Sequence, residues 1–242
     1  MSTRLLIVLR TGDAAAPVSA RRGEFFAWIE REIGAEWSGS IVEKDVRDMD
    51  RALPIPTTAA GFIITGSSSS VTERAPWMLR CEELVRTIVK AEIPLFGICF
   101  GHQMIAEALG GKVTRNPRGR EVGTVTVKVR DGLTDVVLTG LPTSFRANAT
   151  HVDTVEVLPP GAVAIAESHL EPHAVYVIGK TTKCVQFHPE FDGDIMRGYV
   201  EARSPLIAAE GLDPESIRAA AVDAPHGAEI LRNFVRHVVR AA

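Results

Sequence analysis

The sequence predicts an α/β protein with a mostly parallel central sheet and helices on both faces. Short, continuously apolar runs alternate with segments whose apolar residues recur at helical spacing, a pattern typical of βαβ units. The runs lack alternating polar positions, as expected for strands covered on both faces. The length of 242 residues suits one large domain of this class, or one domain with an appendage.

Strands and helices alternate through the first half of the chain. Strands are predicted at residues 4–9, 61–66 and 93–98. The first helix has an apolar face formed by Phe25, Phe26, Ile29 and Ile33. Two further helices are predicted at residues 77–91 and 102–110, the second ending at Gly110-Gly111. This order places the strands side by side in a parallel sheet.

The second half of the chain has a different hydrophobic pattern. Residues 122–129 alternate strictly between apolar and polar, which indicates a half-buried strand. Further short strands are predicted at residues 162–166, 174–178 and 183–187. The last 50 or so residues are helical, with one apolar face formed by Ile230, Leu231, Phe234, Val235 and Val238. Without an internal repeat or a flexible linker, we expect a single domain over residues 1–242, with a core to about 192 and a helical extension from about 193.

Composition excludes several classes of protein. The 27 basic and 30 acidic residues give a net charge of −3, which disfavours a nucleic-acid binder. Three cysteines are too few for a disulfide scaffold and favour a reducing compartment, so we expect a cytoplasmic protein. The apolar run Leu5–Leu9 is too short for a signal-peptide core or a membrane span, so no membrane partner is expected.

The sharpest motif is Gly97-Ile98-Cys99-Phe100-Gly101, where a predicted strand gives way to a helix. A side chain on such a bend projects from the sheet edge, and glycines two positions before and after it make room for a nucleophile elbow. The helix N-terminus favours a thiolate at Cys99, and the N–H of Phe100 would face a developing oxyanion. The alternative is that Cys99 is an ordinary buried cysteine.

A nucleophilic cysteine needs a base, and the base needs an orienting group. His188-Pro189-Glu190 follows a predicted strand, and residues two apart in extended chain point to the same side. Glu190 can therefore hold one imidazole nitrogen of His188 while the other faces the thiol. An isolated motif of this kind is more often structural, but an elbow cysteine upstream favours a catalytic role.

Other polar segments carry weaker signals. The run Thr65–Ser70 is either a flexible loop or a turn whose N–H groups face the site at the carboxyl end of the sheet. His151-Val152-Asp153 either contacts substrate or closes a turn. Cys81 and Cys184 lack an elbow setting and are predicted to be structural, and we expect His102 to support the elbow. The remaining histidines show no spacing typical of a metal site.

Taken together, Gly97-Ile98-Cys99-Phe100-Gly101-His102-Gln103 and the downstream Gln186-Phe187-His188-Pro189-Glu190 resemble the class I (triad-type) glutamine amidotransferases. The resemblance covers most of residues 40–192, and the chain looks like the free-standing, GMP-synthase-like members. It implies a flavodoxin-like fold, in which helices flank a mostly parallel central sheet that carries a few antiparallel strands.

The resemblance also implies a reaction. In that family a cysteine attacks the side-chain amide of glutamine, a γ-glutamyl thioester forms with release of ammonia, and water then releases glutamate. By position, Cys99 would be the nucleophile, His188 the general base and acid, and Glu190 the orienting carboxylate. The backbone N–H groups of Ser67 and Phe100 would form the oxyanion hole.

The same resemblance assigns substrate-binding positions, which are Gly66, Gln103, Glu121, His151 and Asp153. The chain departs from the family at Ser67 and Ser68, where a second glycine, often followed by proline, is usual. The chemistry implies no metal and no organic cofactor. Its substrate would be L-glutamine or another γ-glutamyl compound.

Several functional alternatives remain open from the sequence. Some free-standing relatives act as γ-glutamyl peptidases on glutathione-like conjugates, with the same thioester chemistry. An ammonia-accepting synthetase subunit could gate a glutaminase that is inactive alone. A non-catalytic binding module is the third alternative, although the intact Cys-His-Glu set argues against it. The helical extension is expected to cover the pocket rim or to form a subunit contact, which leaves a homo-oligomer open.

Overall fold

The computed structural model describes residues 5–242, so Arg4, with which the first predicted strand begins, lies outside the described residues. The strands are β1 (Leu5–Arg10), β2 (Ser40–Asp45), β3 (Ala59–Ile64), β4 (Leu95–Ile98), β5 (Lys112–Arg115), β6 (Glu121–Val129), β7 (Ser144–His151), β8 (Asp153–Val157), β9 (Ala162–Glu167), β10 (Val175–Ile178) and β11 (Thr182–Val185). The helices are α1 (Ala16–Arg22), α2 (Phe25–Ile33), α3 (Pro76–Lys90), α4 (Phe100–Ala108), α5 (Gly193–Ala202), α6 (Ser204–Ala209), α7 (Pro214–Ala220) and α8 (Pro225–Phe234), which continues as a π-helical turn (Val235–Val239).

Nine strands form the central sheet in the order β2-β1-β3-β4-β11-β10-β9-β6-β7. The first five are mutually parallel, and the last four join them in antiparallel fashion. Strands β5 and β8 form a separate antiparallel pair. The observed sheet is thus mostly parallel through the half that carries the predicted elbow, with antiparallel strands beyond it, as predicted.

Helices cover both faces of the sheet, as the alternation along β1 shows. Leu6 and Val8 are buried in one apolar cluster with residues of α2 and α8. Ile7 and Leu9 point the other way, into a cluster with residues of α3 and α4. Because side chains of a strand alternate between faces, continuous burial along β1 requires a layer on each side.

The observed boundaries differ from the predicted ones in two informative ways. Helix α4 begins at Phe100 rather than residue 102, because the helix starts immediately after the bend at Cys99. Five elements were not predicted from the sequence, namely β2, β5, β7, β8 and α1. Strand β2 is a sheet edge with largely half-exposed side chains, so it lacks an apolar run. Strand β7 is buried although several of its side chains are polar.

The helical extension packs into the core rather than lying apart from it. The ring of Phe234 in α8 lies 5.1 Å from that of Phe96 in β4, centroid to centroid. The predicted apolar face of this helix is buried along its whole length. Within residues 5–242, no helix is long and apolar enough to cross a membrane.

Candidate active site

Three neighbouring parallel strands bring the predicted catalytic residues to one edge of the sheet. Strands β3, β4 and β11 lie side by side, with Ile64 paired to Gly97 and Ile98 paired to Val185. The loop at Gly66 follows β3, Cys99 follows β4, and the segment that contains His188 follows β11. The carboxyl ends of adjacent strands are where open parallel sheets bind ligands.

Cys99 sits on the strained bend that its neighbours predicted. Its backbone has φ 49° and ψ −98°, a conformation that costs free energy for any residue with a side chain. A Cβ at Gly101 would lie 2.5 Å from the carbonyl oxygen of Ile64, and a Cβ at Gly97 would lie 2.8 Å from the carbonyl oxygen of Gly101. Only glycine fits at either position, which explains the spacing in the sequence.

The surroundings of Cys99 favour the thiolate. Burial alone would raise the pKa of its thiol, but the positive charge of His188 and a hydrogen bond from it outweigh burial and lower the pKa below 9.0. His151 and Arg203 lower the pKa of Cys99 further by their charge. By contrast, burial raises the pKa of Cys81 and of Cys184 to about 12, in keeping with structural roles.

His188 is held from several sides. Its Nδ1 lies 2.8 Å from Oε1 of Glu190, a carboxylate with no exposed surface, and its backbone N–H donates to the carbonyl of Asn148 at 2.8 Å. Its ring stacks on Phe191, with 4.1 Å between the ring centroids. Burial alone would lower the pKa of His188, but the negative charges of Glu190 and Cys99 raise it to about 10. The site therefore favours a thiolate–imidazolium pair.

The peptide between Gly66 and Ser67 has a fixed orientation. The carbonyl of Gly66 accepts hydrogen bonds from the hydroxyls of Thr11 at 3.2 Å and Thr65 at 3.1 Å. In a trans peptide the C=O and N–H point in opposite directions, so the N–H of Ser67 points away from those hydroxyls. Ser67 lines the same cavity as Cys99. Phe100 is the first residue of α4, where N–H groups have no partner within the helix.

A cavity of about 240 Å³ opens over Cys99. It is lined by Ser67, Ser68, Ser69, Cys99, Gln103, Arg120, Thr150, His151, Val152, Asp153, Arg203 and Leu206. Four larger clefts, of about 320 to 450 Å³, are present in the described chain; Glu121 lines the one of about 320 Å³, and the other three contain none of the predicted site residues. At about 240 Å³ the cavity over Cys99 is smaller than the roughly 300–1,000 Å³ of typical ligand pockets, which suits an amino acid or a short conjugate.

Of the predicted substrate-binding residues, Gln103, His151 and Asp153 line this cavity, whereas Gly66 and Glu121 do not. The side-chain amide of Gln103 donates to the carbonyl of Asp153 at 3.1 Å, which ties α4 to the start of β8. Glu121 lies opposite His151 in the β6–β7 pair, and its Oε2 is 3.0 Å from Nε2 of that imidazole. Glu121 therefore acts on the cavity through His151.

His102 lies behind the elbow. It is fully buried, and its Nε2 lies 2.8 Å from the carbonyl oxygen of His173. Burial lowers its pKa to about 3, which keeps the ring neutral. The hydroxyl of Tyr176 donates to its backbone carbonyl at 2.6 Å. Among residues 5–242, no group of three or more His, Cys, Asp or Glu side chains is arranged to hold a metal ion.

Sequence reasoning missed four residues that line the cavity and a fifth that positions one of its loops. Arg120, Thr150, Arg203 and Leu206 line the cavity, and the last two come from the helical extension. Thr11, which follows β1, fixes the loop at Gly66. No sequence motif marks these positions, because they come together at the site only when the sheet forms and the helical extension folds back over it.

Comparison with protein families gives a match to Glutamine amidotransferase class-I over residues 36–201. Gamma-glutamyl peptidase 4 of Arabidopsis thaliana is 34% identical over 140 residues, which cover 56% of this chain and 55% of that protein. A GMP synthase (glutamine-hydrolyzing) of Aeropyrum pernix is 34% identical over 186 residues, which cover 76% of this chain and 32% of that protein. The chain thus spans about half of the first relative and a third of the second.

A more distant relative is matched over most of its length. Gamma-glutamyl peptidase 5 of Arabidopsis thaliana is 27% identical over 205 residues, which cover 80% of this chain and 78% of that protein. Among solved structures, a glutamine amidotransferase from Thermotoga maritima has a TM-score of 0.77 at 23% identity and covers 99% of both chains. That likeness establishes a shared fold, including the extension.

Proposed function

The chain belongs to the class-I glutamine amidotransferases, and on that basis we propose that it hydrolyses the γ-amide of L-glutamine through a thioester on Cys99. The observation that carries this proposal is the convergence of three strand ends. They bring a thiol of lowered pKa and the loop with the Ser67 N–H to one cavity, and they place a buried His–Glu pair in hydrogen-bond contact with that thiol. Such a set is what acyl transfer requires.

In the first half of the reaction, the Cys99 thiolate attacks the γ-carbonyl carbon and the carbonyl oxygen becomes an oxyanion. The N–H groups of Ser67 and Phe100 stabilise that oxyanion. The tetrahedral intermediate collapses with cleavage of the C–N bond, and the His188 imidazolium gives its proton to the departing nitrogen. Ammonia leaves and the γ-glutamyl thioester remains on Cys99.

In the second half, His188 is neutral and takes a proton from water, which attacks the thioester carbon. The C–S bond breaks, glutamate leaves, and the proton on His188 restores the thiolate–imidazolium pair. Glu190 holds Nδ1 of the imidazole throughout and stabilises its positive charge. Sulfur, imidazole and backbone groups supply every step, so we propose no metal or organic cofactor.

We assign substrate contacts to residues that line the rest of the cavity and to Gly66, the residue before Ser67 in the loop. We assign Gly66, Gln103 and Asp153 to the γ-glutamyl moiety, with the carboxylate of Asp153 facing its ammonium group. His151, held by Glu121 and by the carbonyl of Asp153 at 2.9 Å from Nδ1, lines the cavity beside them. Both of its ring nitrogens face acceptors, so the imidazole is positioned as a cation. Burial alone would lower the pKa of His151, but Glu121 raises it.

A γ-glutamyl peptidase is the second candidate. It is favoured by the match to Gamma-glutamyl peptidase 5, which covers about four fifths of both chains, whereas the GMP synthase match covers a third of that protein. The bond cleaved and the thioester would be the same, and only the leaving group would change from ammonia to an amine. As in the first candidate, His188 would protonate that leaving nitrogen.

Glutamate release by the purified chain tests both candidates. L-glutamine, glutathione and a γ-glutamyl amine are offered in parallel, with Cys99→Ala as the blank and Cys184→Ala as the matched control. Glutamate and ammonia from glutamine support the first candidate. Cleavage of the conjugates alone supports the second, and full activity of Cys99→Ala contradicts both.

An ammonia-accepting synthetase subunit remains a proposed partner, suggested by the GMP synthases among the relatives. Activity that emerges only after a synthetase subunit is added would support it. A homo-oligomer and a cytoplasmic location stay predictions, which analytical ultracentrifugation and cell fractionation check.

A further inference from the structure

Arg203 lines the cavity over Cys99, and within residues 5–242 its guanidinium has no carboxylate partner. It lies between α5 and α6, in the helical extension, and lines the cavity with Cys99. Among residues 5–242, no carboxylate oxygen comes within 4.0 Å of its guanidinium, and it makes one side-chain hydrogen bond, to Oγ1 of Thr150 at 2.6 Å. Most of its five N–H donors are therefore free to bind a ligand.

The guanidinium is nevertheless held in place. Its Cζ lies 5.1 Å from the centroid of the Tyr199 ring, which covers one side of the guanidinium. Tyr199 packs on Phe191, and Phe191 stacks on His188. The backbone N–H of Arg203 donates to the carbonyl of Tyr199 at 3.1 Å, and its carbonyl accepts from Ile207 at 3.0 Å. An aromatic stack thus connects the position of Arg203 to the imidazole of the catalytic pair.

The second arginine of the cavity is already neutralised. Arg120 forms a two-point hydrogen-bonded pair with Glu210, with Nε to Oε2 at 2.7 Å and Nη2 to Oε1 at 3.0 Å. Asp153 accepts a hydrogen bond from Ser70 at 2.5 Å and lies in the same cavity as Arg203. The Cys99 thiolate and the His151 imidazole are paired with His188 and Glu121, so beyond these pairs the cavity presents one carboxylate and one unmatched guanidinium, the complement of a zwitterionic ligand. Burial lowers the pKa of Arg203, as expected for an uncompensated cation.

We propose that Arg203 is a specificity-determining residue whose guanidinium binds a carboxylate of the γ-glutamyl substrate. This inference rests on the proposed function. Two carboxylates have the required chemistry: the α-carboxylate that every γ-glutamyl compound carries, and the terminal carboxylate of a peptide leaving group. Planar, two-point binding of a carboxylate is the interaction for which arginine is best suited.

Kinetics with paired substrates test this inference. The pairs are L-glutamine with L-glutaminamide, and glutathione with its C-terminal amide. Arg203→Met should raise KM about 10- to 100-fold for substrates that carry the recognised carboxylate, with a much smaller change in kcat. A rise in KM confined to substrates with a free α-carboxylate assigns Arg203 to that group, and a rise confined to substrates with a free peptide C-terminus assigns it to the leaving group. An equal rise in KM for every substrate, or an unchanged KM, would overturn the proposal.

Two controls separate this inference from the proposed function. Arg118→Met removes an exposed arginine that also has no carboxylate within 4.0 Å in the described chain but lies outside the Cys99 cavity, and its KM should not change. Calorimetric titration of Cys99→Ala with L-glutamate and glutathione measures binding without turnover. A wild type without activity would contradict the proposed function. Weaker binding by Cys99→Ala/Arg203→Met would still support the role of Arg203, and equal binding would contradict it.

A KM for Arg203→Lys that lies between those of the wild type and Arg203→Met supports recognition by charge and checks that the fold survives. A role confined to stabilising the thiolate predicts a different result, in which Arg203→Met raises the pH at which iodoacetamide alkylates Cys99 while substrate affinity stays constant. That result would also overturn the proposal.

Discussion

The imidazole of His188 packs against the Cα atom of Gly66. A Cβ added at Gly66 would lie 2.7 Å from Cε1 of His188, closer than van der Waals contact allows, and 3.6 Å from its Nδ1. The loop that fixes the N–H of Ser67 and the ring that forms an ion pair with Cys99 are therefore in direct contact. Neither can move toward the other, which makes Gly66 a steric contact between the loop and the imidazole to which we assign the oxyanion site and the general base.

Gly66→Ala should lower kcat about 100-fold, because the new methyl group must displace either the imidazole or the loop by up to about 1 Å. Steady-state kinetics with L-glutamine or a γ-glutamyl conjugate measures the effect. Gly227→Ala is the matched control, since a Cβ there would meet its neighbours at an ordinary 3.7 Å. An unchanged kcat in Gly66→Ala would contradict the proposed contact between loop and base.

The elbow and the His–Glu pair could be predicted from sequence because their geometry is local. Glycines two positions from Cys99 are required by the close approach of the chain, and Glu190 reaches His188 because residues two apart in extended backbone share a side. The contact of Thr11 with Gly66 is not local, since it joins loops from two different strands. Nothing in the sequence around Thr11 distinguishes it from an ordinary loop threonine.

The residues at the rim of the cavity could not be predicted from local patterns either, because they are far apart in the sequence. Arg203 reaches Thr150 only because the extension folds back over β6 and β7. Glu121 and His151 could be associated with the pocket by resemblance, but their direct pairing depends on the register of β6 with β7. Strand β7 itself was missed because Asn148, Thr150 and His151 are buried there as hydrogen-bonded polar groups rather than as an apolar run.

Thr11→Val tests whether the hydroxyl fixes the oxyanion loop. The change keeps the shape of a fully buried side chain but removes the hydroxyl proton that the carbonyls of Thr65, at 2.9 Å, and Gly66, at 3.2 Å, share. We expect kcat to fall about 10- to 100-fold with KM changed much less, because the role proposed for the Ser67 N–H is to stabilise the developing oxyanion. Thr87→Val removes an exposed hydroxyl bonded within α3 and should leave kcat unchanged. Equal behaviour of the two variants would contradict the role of Thr11.

Phe234→Ala tests whether the helical extension belongs to the folding core. The Phe234 side chain has no exposed surface and packs on Phe96 of the central sheet. We expect the free energy of unfolding to fall by about 3–5 kcal/mol, the usual cost of a large cavity in a core. Urea denaturation measures this change. Leu212→Ala, at a position 38% exposed, should stay within about 0.5 kcal/mol of the wild type. A separate, low-stability transition for the extension would contradict this prediction.

The pH dependence of the reaction should follow the Cys99–His188 pair. The pKa of Cys99 is lowered from 9.0, so the thiolate is present above its own lowered pKa and is lost as the pH falls through it. The pKa of His188 is raised to about 10, so the imidazolium persists at neutral pH and is lost as the pH rises through about 10. We therefore expect a bell-shaped profile of kcat/KM whose alkaline limb lies near pH 10.

Glu190→Gln should narrow that profile from both sides. Without the carboxylate, burial dominates at His188 and its pKa falls, which moves the alkaline limb to lower pH by about one unit or more. The weaker imidazolium then lowers the pKa of Cys99 less, so the acid limb moves to higher pH. The rate of iodoacetamide alkylation against pH reads the Cys99 thiolate directly, because the pKa of about 12 at Cys81 and Cys184 keeps both unreactive. An alkylation profile that is the same in wild type and Glu190→Gln would show that Glu190 does not control the pair.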